Sequence, residues 1–275
     1  MVPEPLPPDF AVALENAASR LGPCAGRVSY RSEVSSTNDV ALQLAASGAP
    51  EGTTVVAGAQ TRGRGRQGRS WLSPPDAGLY VSVLFRPRGA SSLAFLTLMG
   101  GAAVAEGIRA STGLPVLVKW PNDVVVEEEH APRADQRRRK VAGILVEASG
   151  VGVAVEYAVL GFGINLRPVA LPPELAGTAT SIEGELGRSA DRAVVLSESL
   201  AALVRSYADL LADRVDTILM RWRQLSPSSR GARVELVGPE PRWQGITDGI
   251  DDQGALLVRV GSRVERLISG DVRWL

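Results

Sequence analysis

The sequence predicts an α+β main domain followed by a small antiparallel β-barrel. Three observations lead there. Strand-like runs occur in pairs with helical patterns inserted between them, without the strict strand–helix–strand alternation of an all-parallel sheet. After Ser226-Pro227-Ser228-Ser229 the pattern changes to short strands with no further helix. Apolar residues make up 45% and charged residues 22% of 275 positions, an ordinary globular composition in a chain long enough to bury a large core.

Residues 1–26 read as an N-terminal extension: a Pro-rich opening, a short helical pattern from Phe10 to Leu21, and a break at Gly22-Pro23. That is too little for a helix-turn-helix DNA-binding unit, which needs two further helices. The main domain is read over 27–228. Ser35-Ser36-Thr37-Asn38-Asp39 precedes an apolar run to Ala46, and Gly48 follows, so a short helix starts at the Ser-Thr-Asn triplet. Thr53 to Ala59 is strand-like, Gln60 to Pro75 a loop, and Leu79 to Phe85 a strand. Ser91 to Thr112 is a long Ala/Leu-rich helix stopped by Gly113. Val116 to Trp120 and Val124 to Val126 are strand-like around Pro121-Asn122-Asp123, and 127–139 is a charged connection. Val141 to Ala148 and Val153 to Leu160 alternate as a hairpin through Gly150 and Gly152. Residues 165–188 are irregular, and Asp191 to Leu225 reads as two helices. In 229–275, Val234 to Val237, Arg242 to Thr247, Ala255 to Val260 and Val264 to Ile268 are short strands, with Gly238-Pro239, Asp248-Gly249 and Gly261 as turns.

A formal net charge of zero gives no global field toward nucleic acid or membrane. The single cysteine, Cys24, excludes an intrachain disulfide framework and fits a reducing compartment. Met1 to Phe10 carries two acids, four prolines and no basic residue, unlike a signal peptide. The most apolar stretch, Val141 to Leu166, is interrupted by Glu147, Glu156 and glycines and reads as paired strands rather than a membrane span. A cytoplasmic protein is expected.

Of the thirty basic residues only Lys119 and Lys140 are lysine. Each opens an unusual motif, which makes both candidates for positions where a rigid guanidinium fork would not serve. The densest motif is Gly63-Arg64-Gly65-Arg66-Gln67-Gly68-Arg69-Ser70-Trp71, preceded by Arg62. Alternating glycine and arginine suits close backbone approach and an anion cradle. The Gly-Lys-Ser/Thr ending of a P-loop is missing, and Ser73-Pro74-Pro75 forbids the helix of a dinucleotide fingerprint. A phosphate or nucleotide, an RNA strand, and a plain basic loop all fit this motif by itself. Lys119-Trp120-Pro121-Asn122-Asp123 puts a carboxamide and a carboxylate at a strand end, suited to a divalent cation, a polar substrate group or an ordinary turn. Gly143, in the strand opened by Lys140, suggests close approach to the backbone.

Taken in order, Ser-Thr-Asn (36–38), Gln60-Thr61, the Gly-Arg loop (63–71), Lys-Trp-Pro-Asn-Asp (119–123), Lys-Val-Ala-Gly-Ile-Leu (140–145) and Gly-Phe-Gly-Ile-Asn-Leu (161–166) resemble the biotin protein ligases over roughly 27–275. The resemblance implies a mixed central sheet with flanking helices, related to class II aminoacyl-tRNA synthetases. It implies an enzyme that makes biotinyl-5′-AMP from biotin and ATP with Mg²⁺, then passes the biotinyl group to a lysine of a biotin carboxyl carrier domain. By resemblance Ser36, Thr37, Asn38 and Gln60 line the ureido end of biotin, and Gly143 borders the pocket. Arg64, Gly65 and Arg66 run along its carboxylate and the phosphate, and Lys140 contacts both. Asn122 and Asp123 lie near phosphates and metal, Arg69 and Asn165 near the nucleotide, and Trp71 against the adenylate. Arg66, Lys140 and Asp123 are the implied catalytic set, with Asp123 orienting or deprotonating the acceptor amine. Arg62 and the long 127–139 connection depart from the family pattern. The absent helix-turn-helix implies a ligase without repressor function. A lipoate ligase lacks the full Gly-Arg loop followed by Trp, and an RNA-binding module fits poorly with zero net charge and no aromatic stacking platform.

Overall fold

The computed structural model describes residues 4–87, 92–127, 138–151, 154–237 and 243–275. Seven strands form the central sheet: β1 (Val28–Val34), β2 (Thr54–Gln60), β3 (Gly78–Phe85), β4 (Leu117–Lys119), β5 (Asp123–Glu127), β6 (Arg138–Val151) and β7 (Ala154–Asn165). Their order is β1-β2-β3-β7-β6-β5-β4. β1 and β2 are parallel and every other pair is antiparallel, so the sheet is mixed.

Strand β7 shows how sequence alternation builds two different faces. Ala158, Leu160, Phe162 and Ile164 point into the main core. There they meet α3 (Ser92–Thr112), which is backed by α5 (Arg192–Leu211) and α6 (Val215–Leu225). α3 and α5 approach closely: a Cβ on Gly107 would lie 2.5 Å from Ser199 Cα. The other face begins with Tyr157 and Val159, which pack with Ala41 and Ala45 of α2 (Thr37–Ala46). It then continues as Gly161 and Gly163, with no side chain to fill the space. In the ladder Gly163 lies opposite Gly143 of β6, and Gly161 opposite Leu145. A cleft therefore opens where α2 begins.

The C-terminal sheet comprises β8 (Arg230–Val237), β9 (Gln244–Ile250), β10 (Leu256–Val260), β11 (Arg263–Leu267) and β12 (Asp271–Trp274). It is antiparallel, in the order β11-β10-β9-β8-β12, and its end strands share no ladder among the described residues. Its apolar side joins the main core through Val234, Ile250, Leu256, Val258 and Val272. Trp120 is buried at this junction, and its indole N–H donates to the Gly254 carbonyl at 3.1 Å. The N-terminal segment also enters the core, through Phe10 and Leu14 of α1 (Pro8–Asn16).

Several elements differ from the sequence expectation. The first helix ends at Asn16, and a 3₁₀ turn (Ala18–Arg20) completes the expected span. Strand β1 was not expected: Val-Ser-Tyr-Arg-Ser-Glu-Val is mostly polar because it is an edge strand, with β2 as its one ladder partner among the described residues and a single bridge from Glu4 to Tyr30 on its outer side. Within the expected irregular region, α4 (Ile182–Leu186) forms one short turn capped by the Ser181 hydroxyl, which accepts from the Gly184 N–H. β8 starts at Arg230 rather than Val234, and β12 was not expected at all. Residues 128–137 of the charged connection, the hairpin turn at Gly152 and the turn at Gly238-Pro239 lie outside the described residues.

Candidate active site

The cleft is built from four pieces of chain that the sheet brings together. The first is the start of α2. Ser36, Thr37 and Asn38 are all buried there and line the cleft. Ser36 is the N-cap residue, yet its hydroxyl makes no capping bond. The Thr37 N–H instead donates to Gln60 Oε1 at 2.8 Å, tying the end of β2 to the helix start. The Thr37 hydroxyl lies 2.8 Å from Ser82 Oγ and 3.1 Å from Gln60 Oε1. The Asn38 amide donates to Glu147 Oε2 at 2.7 Å, and its Oδ1 lies 2.6 Å from Ser82 Oγ.

The second piece is the glycine-arginine loop. Gln67 (φ 55°) and Gly68 (φ 74°) are consecutive left-handed residues that fold the loop back, so that the Gly65 N–H donates to the Arg69 carbonyl at 2.7 Å. The loop is held from three directions. Arg64 pairs with both Asp39 and Glu147 at 2.7 Å. Arg66 donates to Asn122 Oδ1 at 3.2 Å. Arg69 pairs with Asp271 of β12. Burial disfavours the Arg66 charge, and Asp123 and Asp271 oppose that effect.

The third piece is the turn between β4 and β5. Asn122 is fixed on both sides: its side-chain amide donates to the Ile144 carbonyl at 2.9 Å, and its backbone carbonyl accepts from the Ile144 N–H at 2.9 Å. Asp123 Oδ1 sits 2.6 Å from Lys140 Nζ. Lys119 points elsewhere, toward the C-terminal sheet, with its ammonium 5.0 Å from the centre of the Trp274 ring. Burial lowers its pKa from the ordinary lysine value, against the pull of Asp123 and Asp271.

The fourth piece is the floor, made by β6 and β7. A Cβ on Gly143 would lie 2.9 Å from Lys140 Nζ and 3.0 Å from the Trp71 ring. One on Gly163 would lie 2.3 Å from Trp71 Nε1, and one on Gly161 only 2.1 Å from Asn38 Oδ1. Three glycines thus allow an amide, an ammonium and an indole to lie flat against the strands. Lys140 also sits 5.0 Å over the Trp71 ring. The Trp71 indole N–H is buried with no acceptor among the described residues. Such a group costs about 1–3 kcal/mol unless something accepts from it.

Of the residues singled out in the sequence, Ser36, Thr37, Asn38 and Gln60 line the cleft at one end, and Arg64, Gly65 and Arg66 along one side. Trp71, Asn122, Lys140 and Gly143 complete it. Asp123 stands behind Lys140. Two residues lie apart. Arg69 faces the C-terminal sheet, and Asn165 donates to the Thr180 carbonyl at 2.9 Å, holding the 178–180 segment against Lys140. Arg139, the neighbour of Lys140 in sequence, turns away from the cleft and pairs with Glu185. Sequence reasoning missed Ser82 and Glu147 as part of this site. Ser82 was visible as a polar residue within the apolar run 81–85, and Glu147 as the charged residue within the apolar run 141–148.

The family described as biotin/lipoate A/B protein ligase matches residues 30–165. The bifunctional ligase/repressor BirA of Bacillus subtilis is 32% identical over 88% of this chain and 72% of its own. The biotin--[acetyl-CoA-carboxylase] ligase of Paracoccus denitrificans is 34% identical over 82% of this chain and 90% of its own. Among solved structures, the biotin protein ligase from Aquifex aeolicus in complex with biotin and ATP superposes with a TM-score of 0.72 at 29% identity, covering 90% of this chain and 98% of that one. The chain belongs to the biotin/lipoate A/B protein ligase family, among the biotin protein ligases.

Proposed function

We propose that this protein joins biotin to a lysine of a biotin carboxyl carrier domain in two steps. In the first, a biotin carboxylate oxygen attacks the α-phosphorus of ATP. The bond from that phosphorus to the bridging oxygen breaks, and pyrophosphate leaves. In the second, the carrier lysine amine attacks the biotinyl carbonyl carbon. The bond to AMP breaks, and the amine loses a proton. The single observation that carries this reading is the cleft itself. Neutral hydrogen-bonding groups (Ser36, Thr37, Asn38, Gln60) occupy one end and cations (Arg66, Lys140) the other. That polarity suits a molecule with a neutral urea at one end and a carboxylate at the other.

Attack of a carboxylate on a polyphosphate is opposed by like charge. Arg66 and Lys140 offset that repulsion and hold the two reactants in line. Lys140 is held ready by Asp123 at 2.6 Å. Its flexible stem lets the ammonium turn from that carboxylate to an incoming anion. The Trp71 N–H and ring supply a donor and a flat surface for the nucleotide. Asp123, released from Lys140, accepts a proton from or orients the acceptor amine. No group of three metal-ligating side chains occurs among the described residues. Asp123, the carboxylate paired with Lys140, is the residue that would meet Mg²⁺ carried in on ATP phosphates. When bound, the metal would neutralise phosphate charge. Residues 27–228 form the catalytic unit in this reading, and 229–275 the unit that supports its loop.

The experiment supplies biotin, Mg-ATP and a carrier domain, and maps the modified lysine by mass. Biotin-dependent pyrophosphate exchange and a single biotinyl-lysine on the carrier are expected. Exchange driven by lipoate, or none with biotin, overturns the reading.

A further inference from the structure

We propose that Glu147 is a specificity-positioning residue: it dictates, through Asn38 and Ser82, that Thr37 presents a hydrogen-bond acceptor to the cleft. The inference deepens the biotin reading and rests on it. The protons available fix the direction of each hydrogen bond. The Glu147 carboxylate, paired with Arg64 at 2.7 Å, can only accept. Its Oε2 lies 2.7 Å from the Asn38 amide nitrogen, so the NH₂ end of Asn38 must face it. Asn38 Oδ1 then faces Ser82 Oγ at 2.6 Å, and being a carbonyl it can only accept. Ser82 has one proton, which goes to Asn38. Ser82 Oγ is therefore the acceptor at its 2.8 Å contact with the Thr37 hydroxyl. Thr37 in turn has one proton, and it must lie between the two hydroxyl oxygens: with the Ser82 proton spent on Asn38, their 2.8 Å contact would otherwise set lone pair against lone pair, whereas Gln60 Oε1 at 3.1 Å already accepts from the Thr37 N–H. What remains of the Thr37 hydroxyl toward the cleft is lone pairs.

This polarity selects a ligand. A urea N–H is a donor and finds an acceptor at Thr37, whereas an ester or ether oxygen at that place meets lone pairs. Ser82, Thr37 and Asn38 are all buried, so water cannot repair a mismatch cheaply. Glu147 stands at the origin of the relay, and it alone among these groups cannot reverse its hydrogen-bonding sense. Its other partner, Arg64, belongs to the glycine-arginine loop, so the same carboxylate ties the urea end of the cleft to the loop that covers it.

The test measures binding and turnover of biotin and of a carbonate analogue lacking both urea N–H groups. It uses the full chain and three variants: Glu147→Gln, Ser82→Ala and the double variant. In Glu147→Gln an amide replaces the carboxylate and Asn38 is free to turn over. KM for biotin should rise about tenfold while kcat and the KM for ATP stay within about twofold, and preference for biotin over the analogue should shrink by a similar factor. Ser82→Ala breaks the relay at its middle and should give the same loss of preference, with the double variant no worse than either single one. Biotin and the analogue weakened equally would mean that Glu147 only holds the cleft's shape, and the proposal fails. Unchanged biotin binding in either single variant, or fully additive losses, also overturns it. Failure of the unmodified protein to bind biotin or to prefer it over the analogue would instead sink the biotin reading. Should Glu147→Gln not fold, Ser82→Ala decides alone.

Discussion

The two faces of strand β7 carry opposite instructions in alternate residues. Leu160, Phe162 and Ile164 fill the core under α3, while Gly161 and Gly163, between them, leave the cleft empty of side chains. On the core face volume is everything, and close packing makes a lost methylene costly. On the cleft face the absence of volume is what functions. Identical backbone and identical hydrogen bonds thus serve stability on one side and ligand access on the other. Mutations on the two sides should therefore fail in different ways.

The largest effect is expected on the core face. Phe162→Ala should cost about 3–5 kcal/mol of stability by loss of transfer energy and creation of a cavity. The KM for biotin in the fraction that remains folded should hardly change. Alkylation of Cys24 offers a readout of unfolding. Cys24 is buried and its thiol is pushed up to about 11 by that burial, so it should react only when the chain opens. A Phe162→Ala protein of normal stability would break the comparison.

Next comes Gly161→Ala. The added methyl would stand 2.1 Å from Asn38 Oδ1 and must displace it. We expect roughly a hundredfold loss in kcat/KM for biotin with little change in melting temperature. If instead the melting temperature collapses and the surviving enzyme binds biotin normally, the cleft face is structural after all.

The two lysines sharpen the same contrast. Lys140→Arg should lower the adenylation rate by about tenfold or more, because a rigid fork cannot turn between Asp123 and an incoming anion. Lys119→Arg should cost about twofold, since Lys119 faces Trp274. Equal losses in pyrophosphate exchange would refute this division. Lys119 also has a pH signature. Its folded pKa lies below the ordinary lysine value, so between the two the unfolded chain binds more protons than the folded one. Stability should therefore rise with pH across that window, and Lys119→Met should flatten the rise in urea-unfolding measurements. The smallest effect is expected from Asp271→Asn, which removes the exposed Arg69 partner on β12. A surface pair contributes about 0–1 kcal/mol. Tryptic cleavage within 62–69 should quicken by less than about twofold.

Most of the helices and most of the sheet were legible from local pattern: alternation marked β6 and β7, a continuous apolar run marked β3, caps marked α2, and an Ala/Leu-rich run ended by Gly113 marked α3. Edge strands were less visible. Among the described residues β1 and β12 each have a strand neighbour on one side, and their exposed polar residues blur the period of two. The candidate site was legible as motifs, because glycine, arginine and Lys-Trp-Pro-Asn-Asp are local signatures. What they touch was not legible.

The sequence by itself determined the α+β class, the change of architecture after residue 226, the residue types at the cleft and the family resemblance. All of these reside in short-range spacing and composition. Tertiary structure alone decided that Lys119 turns to Trp274, that Arg69 answers to Asp271 two hundred residues away, and that Ser82 and Glu147 belong to the site. The reason is physical: hydrogen bonds and ion pairs reach only about 3–4 Å, so their partners are chosen by sheet register and not by distance along the chain.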